Sequence, residues 1–302
     1  MSLHQGAIHE FSLSMYAHGS CVEIDHIIDH LSRLNTVKKL TLDTSGYWIP
    51  ESLFSLHKLT DLYLHHCRLD VQPTFSGFGS LTNLYMENVI ITKKMLLLFL
   101  SSCPLLKTVT LNPDLGSLAD IDDSTVIELF ECLPVIENLS IRLSMLKYFA
   151  QGKVPNKLPA ALVHLKYLCI RDAPSVYKYR IPCLVFLIRS SPNLEKLKLK
   201  IFYDLRLGTS EKYYYSNMRL EHLNEIEIEF WTKRKFKLDF LKLILAKSPV
   251  LKKVKILLRN KVSMDEELQI SRIFLRYPCV SPVVEIIVES GVKFDRKPFN
   301  RS

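Results

Sequence analysis

The sequence predicts an α/β solenoid: a curved parallel sheet of about eleven strands with helices on its convex side. Three observations predict it. One six-residue phrase, apolar at its first, fourth and sixth positions, recurs along the chain; its copies are spaced 22 to 32 residues apart; and most intervals are long enough for a helix, several of them with helical periodicity. A strand of this kind cannot bury its apolar side chains alone, so copies stacked side by side make one continuous core.

The elements follow in order. IHEFSL from Ile8 opens the series, and VKKLTL, LTDLYL, LTNLYM, LKTVTL and IENLSI follow from Val37, Leu59, Leu81, Leu106 and Ile136. LKYLCI, LEKLKL, LNEIEI, LKKVKI and VVEIIV continue from Leu165, Leu194, Leu223, Leu251 and Val283. The spacing is the period of leucine-rich repeats. Between the first two phrases, Val22, Ile24, Ile27, Ile28, Leu31 and Leu34 form one apolar stripe of a helix. The steps of 22 after Leu40 and Leu62 leave room for a single turn near Pro50 to Leu56 and an irregular crossing from Gln72 to Ser80. MLLLFL, from Met95, falls in a helical interval, as do Phe240, Leu241, Leu243, Ile244 and Leu245. Pro104, Pro134, Pro192, Pro249 and Pro282 turn the chain toward the next strand.

Composition narrows the function. At 302 residues and 48% hydrophobic, the chain can bury a large core. No stretch reaches the roughly eighteen apolar residues of a membrane span, and MSLHQGAIHE lacks the pattern of a secretory leader. A location in the cytoplasm, the nucleus or both is the expectation. Seven scattered cysteines contain no C-x-x-C pair, which removes support for a zinc or disulfide framework.

Enzymatic chemistry finds no purchase either. Gly77 and Gly79 lack the flanking strand and helix of a phosphate loop. His26 and His30 in HIIDH lie on the outer face of the first helix with no third ligand suggested, and His65 and His66 read as turn residues after a strand. Asn138 in NLS sits inside a strand, away from the exposed loops where glycans attach. No cofactor, metal or catalytic residue is expected.

Strand alternation points the third and fifth residues of each phrase away from the core. Toward the C-terminus these ladders alternate in sign, Lys196 and Lys198, Glu225 and Glu227, Lys253 and Lys255, which predicts a self-neutralised exposed surface. In the middle they offer Tyr63, Tyr85 and Tyr167 among Asp61, Asn83, Thr108, Thr110 and Asn138. Aromatic anchors among small polar groups suit a protein-binding face. A rival reading comes from charge: residues 1–150 carry 10 Lys and Arg against 16 Asp and Glu, residues 151–302 carry 30 against 15. The dense run Lys233, Arg234, Lys235 and Lys237 is the candidate basic patch for nucleic acid or an anionic membrane surface.

IPESLFSLHKLTDLYLHHCRL, PTFSGFGSLTNLYMENV and LLLFLSSCPLLKTVTL, then LPVIENLSI and LIRSSPNLEKLKL, resemble the repeat region of plant F-box/FBD/LRR-repeat proteins. LDFLKLILAKSPVLKKVKI and the segment from Glu266 to Val288 resemble their closing FBD region. The resemblance implies repeats over 1–214, FBD-like repeats over 215–290 continuous with the solenoid, and a basic tail over 291–302. It further implies a non-enzymatic module that holds a protein substrate for an SCF-type ubiquitin ligase. HQGAIHEFSL, from His4, resembles the family's first repeat, so an F-box is expected to be absent and the ligase adaptor to be reached only if one is supplied. The open edge of the first strand is expected to fray or self-associate.

Overall fold

The computed structural model describes residues 6–70, 75–115, 125–150, 157–171, 180–201, 218, 220–230, 239–258 and 264–290. They fall into two compact units, Met1–Leu165 and Lys166–Ser302. The first unit holds strands β1 (Glu10–Ser14), β2 (Lys39–Trp48), β3 (Asp61–Arg68), β4 (Asn83–Ile90), β5 (Thr108–Asp114) and β6 (Asn138–Arg142). Its helices are α1 (Val22–Leu34), α2 (Lys93–Ser101), α3 (Val126–Glu131) and α4 (Leu143–Ala150), with a 3-10 turn at Glu51–Ser55. The second unit holds β7 (Tyr167–Arg171), α5 (Arg180–Arg189), β8 (Lys196–Ile201), β9 (Glu225–Phe230), α6 (Asp239–Leu245), β10 (Lys253–Leu258), α7 (Met264–Leu275) and β11 (Glu285–Ser290). Among the described residues, eleven parallel strands and intervening helices make an α/β architecture, as the repeat phrase predicts.

Within each unit the strands pair in sequence order, and the fourth residue of every phrase is in register with its neighbours. Phe11, Leu40, Leu62, Leu84, Val109 and Leu139 align across the first unit. Leu168, Leu197, Ile226, Val254 and Ile286 align across the second. A recurring backbone device sets this register. The carbonyl of Lys38 accepts from both Thr60 and Asp61, that of Thr60 from Thr82 and Asn83, and that of Thr82 from Lys107 and Thr108. One carbonyl thus anchors the last amide before the next strand and the first amide within it, and fixes which residues face the core.

The core lies on the helix side. Leu40, Leu42, Leu62, Leu64, Val109, Leu111, Leu139 and Ile141 are wholly buried there. From α1, Ile24, Ile28 and Leu31 pack inward while Val22 is exposed at its start. The buried Tyr47 donates its hydroxyl to Asp25, tying α1 to β2. Where the short steps leave no room for a helix, Phe54, Phe75, Phe78 and Phe99 fill the space as a ring cluster with centroids 4.7 to 6.3 Å apart. Gly77 permits this crossing: its φ is +93°, and a Cβ there would lie 1.8 Å from the Ser102 carbonyl oxygen. Among the described residues no helix is long and apolar enough to cross a membrane.

Three expectations need revision or fall elsewhere. His65 and His66 belong to β3 rather than to a turn after it, because the strand runs on past the phrase to Arg68. The expected repeat boundary at 214/215 and the basic tail over 291–302 lie outside the described residues.

Candidate binding face

Side chains that alternate with the buried leucines form rows running across β2 to β5 on the face opposite the core. The first row is Lys39, Asp61, Asn83 and Thr108, continued by Asn138 on β6. Asn83 Nδ2 donates to Asp61 Oδ1 at 2.8 Å, Thr60 Oγ1 donates to Asp61 Oδ2 at 2.6 Å, and Asn138 Nδ2 donates to Thr108 Oγ1 at 3.2 Å. Lys39 is drawn to the edge by Glu10, 2.7 Å away, and that hydrogen bond raises its pKa above the usual lysine value.

The second row is Thr41, Tyr63, Tyr85, Thr110 and Ser140. The Tyr63 and Tyr85 rings are 6.1 Å apart, and the Lys39 ammonium lies 5.8 Å from the Tyr63 centroid. Burial raises the pKa of the Tyr63 phenol, and the nearby Asp61 charge adds to it. Thr110 is 3% exposed, so its hydroxyl offers almost no contact surface. Asp61, Tyr63, Asn83, Tyr85, Thr108 and Asn138 are half-buried and reach the surface.

A third row, Asp43, His65, Glu87 and Asn112, extends the face two residues beyond the second row. The phrase ends at its sixth residue, which is why repeat reading alone stops short of this row; one more period-two step finds it. His65 stacks on Tyr85 at 4.7 Å. Burial lowers its pKa below the usual imidazole value, with Asp43 and Glu87 partly opposing. Glu87 accepts from the Tyr85 hydroxyl and from Asn112 Nδ2, the latter at 3.0 Å. His66, with φ at +52°, turns its ring to Asp43 Oδ1 at 3.0 Å, and Asn88 repeats that left-handed kink on the next strand. The result is a cluster of three rings, Tyr63 and Tyr85 in the second row and His65 in the third, with Asp43 and Glu87 in register on either side of His65.

In the second unit, Tyr167 shares β7 with Cys169. Burial raises its pKa strongly, with Cys169 and Glu227 next in effect, and the Lys196 ammonium sits 6.0 Å from its ring. The alternating charges pair across β8 and β9 as the register requires: Lys196 meets Glu225 at 2.9 Å, Lys198 meets Glu227 at 2.5 Å and Glu229 at 2.9 Å. The central set is far less exposed than a surface ion pair, with Lys198, Glu227 and Glu229 side chains 19%, 12% and 9% accessible. Burial works against the Lys198 ammonium, but hydrogen bonds to Glu227 and Glu229 outweigh it and its pKa is raised. Burial wins at Lys200, whose pKa is lowered. Lys233, Arg234, Lys235 and Lys237 lie outside the described residues.

Two comparisons bear on identity. Residues 25–141 match the family model of the FBD-associated F-box protein At5g56370, LRR repeats. The chain is also 27% identical over 345 residues to F-box/FBD/LRR-repeat protein At1g13570 of Arabidopsis thaliana, covering 94% of this chain and 80% of that protein. The family-model match takes in β2 to β5, the strands that carry the three rows, and by both matches the chain is similar to F-box/FBD/LRR-repeat proteins.

Proposed function

We propose that the chain is a non-enzymatic recognition module that binds another protein through the open face of its first unit. The observation that carries this reading is the ring cluster of Tyr63, Tyr85 and His65, half-buried, with His65 4.7 Å and Tyr63 6.1 Å from Tyr85. Rigid aromatic side chains supply large contact area at small entropic cost, and such residues dominate interface energies. Tyr167 is proposed as a further contact in the second unit. The relationship to F-box/FBD/LRR-repeat proteins supports a substrate-binding role beside an SCF-type ubiquitin ligase, in the cytoplasm or nucleus.

The test is capture from tissue of the source organism with the chain and with Tyr63→Ala/Tyr85→Ala, scoring the ligase adaptor and cullin alongside other bound proteins. Loss of a specific partner by the double variant, with unchanged thermal stability, supports the face. Adaptor and cullin in the bound set support the ligase role. A partner set identical between the two forms removes the reading.

A further inference from the structure

On the helix side of the first unit, away from the rings, α2 and α3 leave a groove of about 460 Å³ between them. Pro104 and Pro134 line it and hold the same place in successive repeats, two residues before the phrases at Leu106 and Ile136. The same offset sets Leu98 against Glu128 and Ser101 against Glu131, so α2 gives the groove an apolar wall and α3 an acidic one. Leu97 and Leu98 are half-buried there, while Leu96, Phe99 and Leu100 of the same helix are buried in the core. Glu128 and Glu131 are exposed and lie one turn apart on one face of α3. Glu128 accepts from the Thr125 amide at 2.8 Å, a neutral donor, and among the described residues neither carboxylate belongs to an ion pair. Neither helix has a basic residue in its last turn, so the negative end of the α2 dipole adds to the same field. Lys94 belongs to the first turn of α2, about 10 Å along the axis from Ser101.

We infer that this groove takes an amphipathic helix of a partner protein, with an apolar stripe and cationic residues along one flank of it. It is a second surface and does not rest on the ring face. Side chains line the groove and offer no strand edge, so the fitting occupant is one that satisfies its own backbone hydrogen bonds. A helix docked in an apolar groove anchors through positions i, i+3, i+4 and i+7, and that stripe meets Leu97, Leu98 and the two prolines. The nine residues of α2 extend about 14 Å, room for about nine residues of a helix lying along it. Cations one turn apart on the flank then meet Glu128 and Glu131. Complementary charge selects against acidic helices and makes the affinity depend on salt.

The experiment uses the full chain and labelled helical peptides of equal length, with anisotropy reading binding. The first has leucines at i, i+3, i+4 and i+7 and two arginines one turn apart on the flank. The second replaces its arginines by glutamates, and the third replaces its leucines by glutamines. The first is expected to bind about tenfold more tightly than either of the others. Glu128→Gln/Glu131→Gln keeps the acceptor that caps α3 and should remove most of the preference over the glutamate peptide; Glu131→Gln alone, which leaves the cap untouched, should remove part of it. Tyr63→Ala/Tyr85→Ala should leave binding unchanged. Cys132 lines the groove whereas Cys279 is exposed outside it, so the bound peptide should slow iodoacetamide labelling of Cys132 and not of Cys279. Equal binding of the second or third peptide, binding untouched by both glutamate variants, undiminished labelling of Cys132, or no binding of the first peptide each overturns the inference. Loss of binding in Tyr63→Ala/Tyr85→Ala would put the peptide on the ring face and overturn it as well.

Discussion

Burial lowers the pKa of His65 although Asp43 and Glu87 stand in register on either side and oppose it. An imidazole whose folded pKa lies below its unfolded value stabilises the fold fully above that unfolded value, 6.5 here. That contribution is lost as pH falls from 6.5 through the lower folded value. Urea midpoints measured at about pH 7.5 and about pH 5.5 should therefore drop less for His65→Gln than for the native chain; an equal drop would refute the assignment. Glycine offers a sharper contrast. Gly77→Ala sets a Cβ against the Ser102 backbone at positive φ and is expected to cost about 3 kcal/mol or more. Gly79→Ala, with open space around it, should change thermal stability little. At this scale the sequence shows Tyr63 and Tyr85 plainly, since alternation alone puts them outward. It does not show that Thr110 at the same phrase position is covered, because burial on an outward row depends on neighbouring bulk rather than on period.

Strands and their intervals were legible because the phrase carries both the period and the face. The 3-10 turn at Glu51–Ser55 follows from a 22-residue step that has no room for more. What fills the next crossing was not legible, since a ring cluster of Phe54, Phe75, Phe78 and Phe99 has no periodicity to read. The charged strands β8 and β9 show the same division. Their pairing is written in the alternation of sign, while the depth of Lys198, Glu227 and Glu229 comes from packing. Depth changes the energetics: an exposed pair is worth about 0 to 1 kcal/mol, but removing one partner of a largely buried set strands the others. Lys198→Met is accordingly expected to cost about 2 to 3 kcal/mol in denaturant unfolding. Lys198→Met with Glu227→Leu should recover part of that loss relative to the single variant. A cost below about 0.5 kcal/mol for Lys198→Met would place these charges among ordinary surface pairs.

Across the whole molecule, charge is divided along the chain: −6 over residues 1–150 and +15 over residues 151–302, from the 10 against 16 and 30 against 15 charged residues. A chain so divided presents to other copies an acidic stretch and a basic one, and unlike charges attract over about 10 Å at 0.1 M salt and about 30 Å at 0.01 M. Copies are therefore expected to associate weakly as salt is lowered, even though the net charge of +9 opposes approach at long range. Sedimentation at about 0.02 M and about 0.3 M salt checks this: the mean mass should rise at the lower value only. If the acidic residues of the first unit take part, the rise shrinks in Asp43→Asn/Asp61→Asn, because the substitutions remove that attraction. A mass that stays monomeric at both salts would mean that like-charge repulsion, set by the net +9, outweighs the division along the chain.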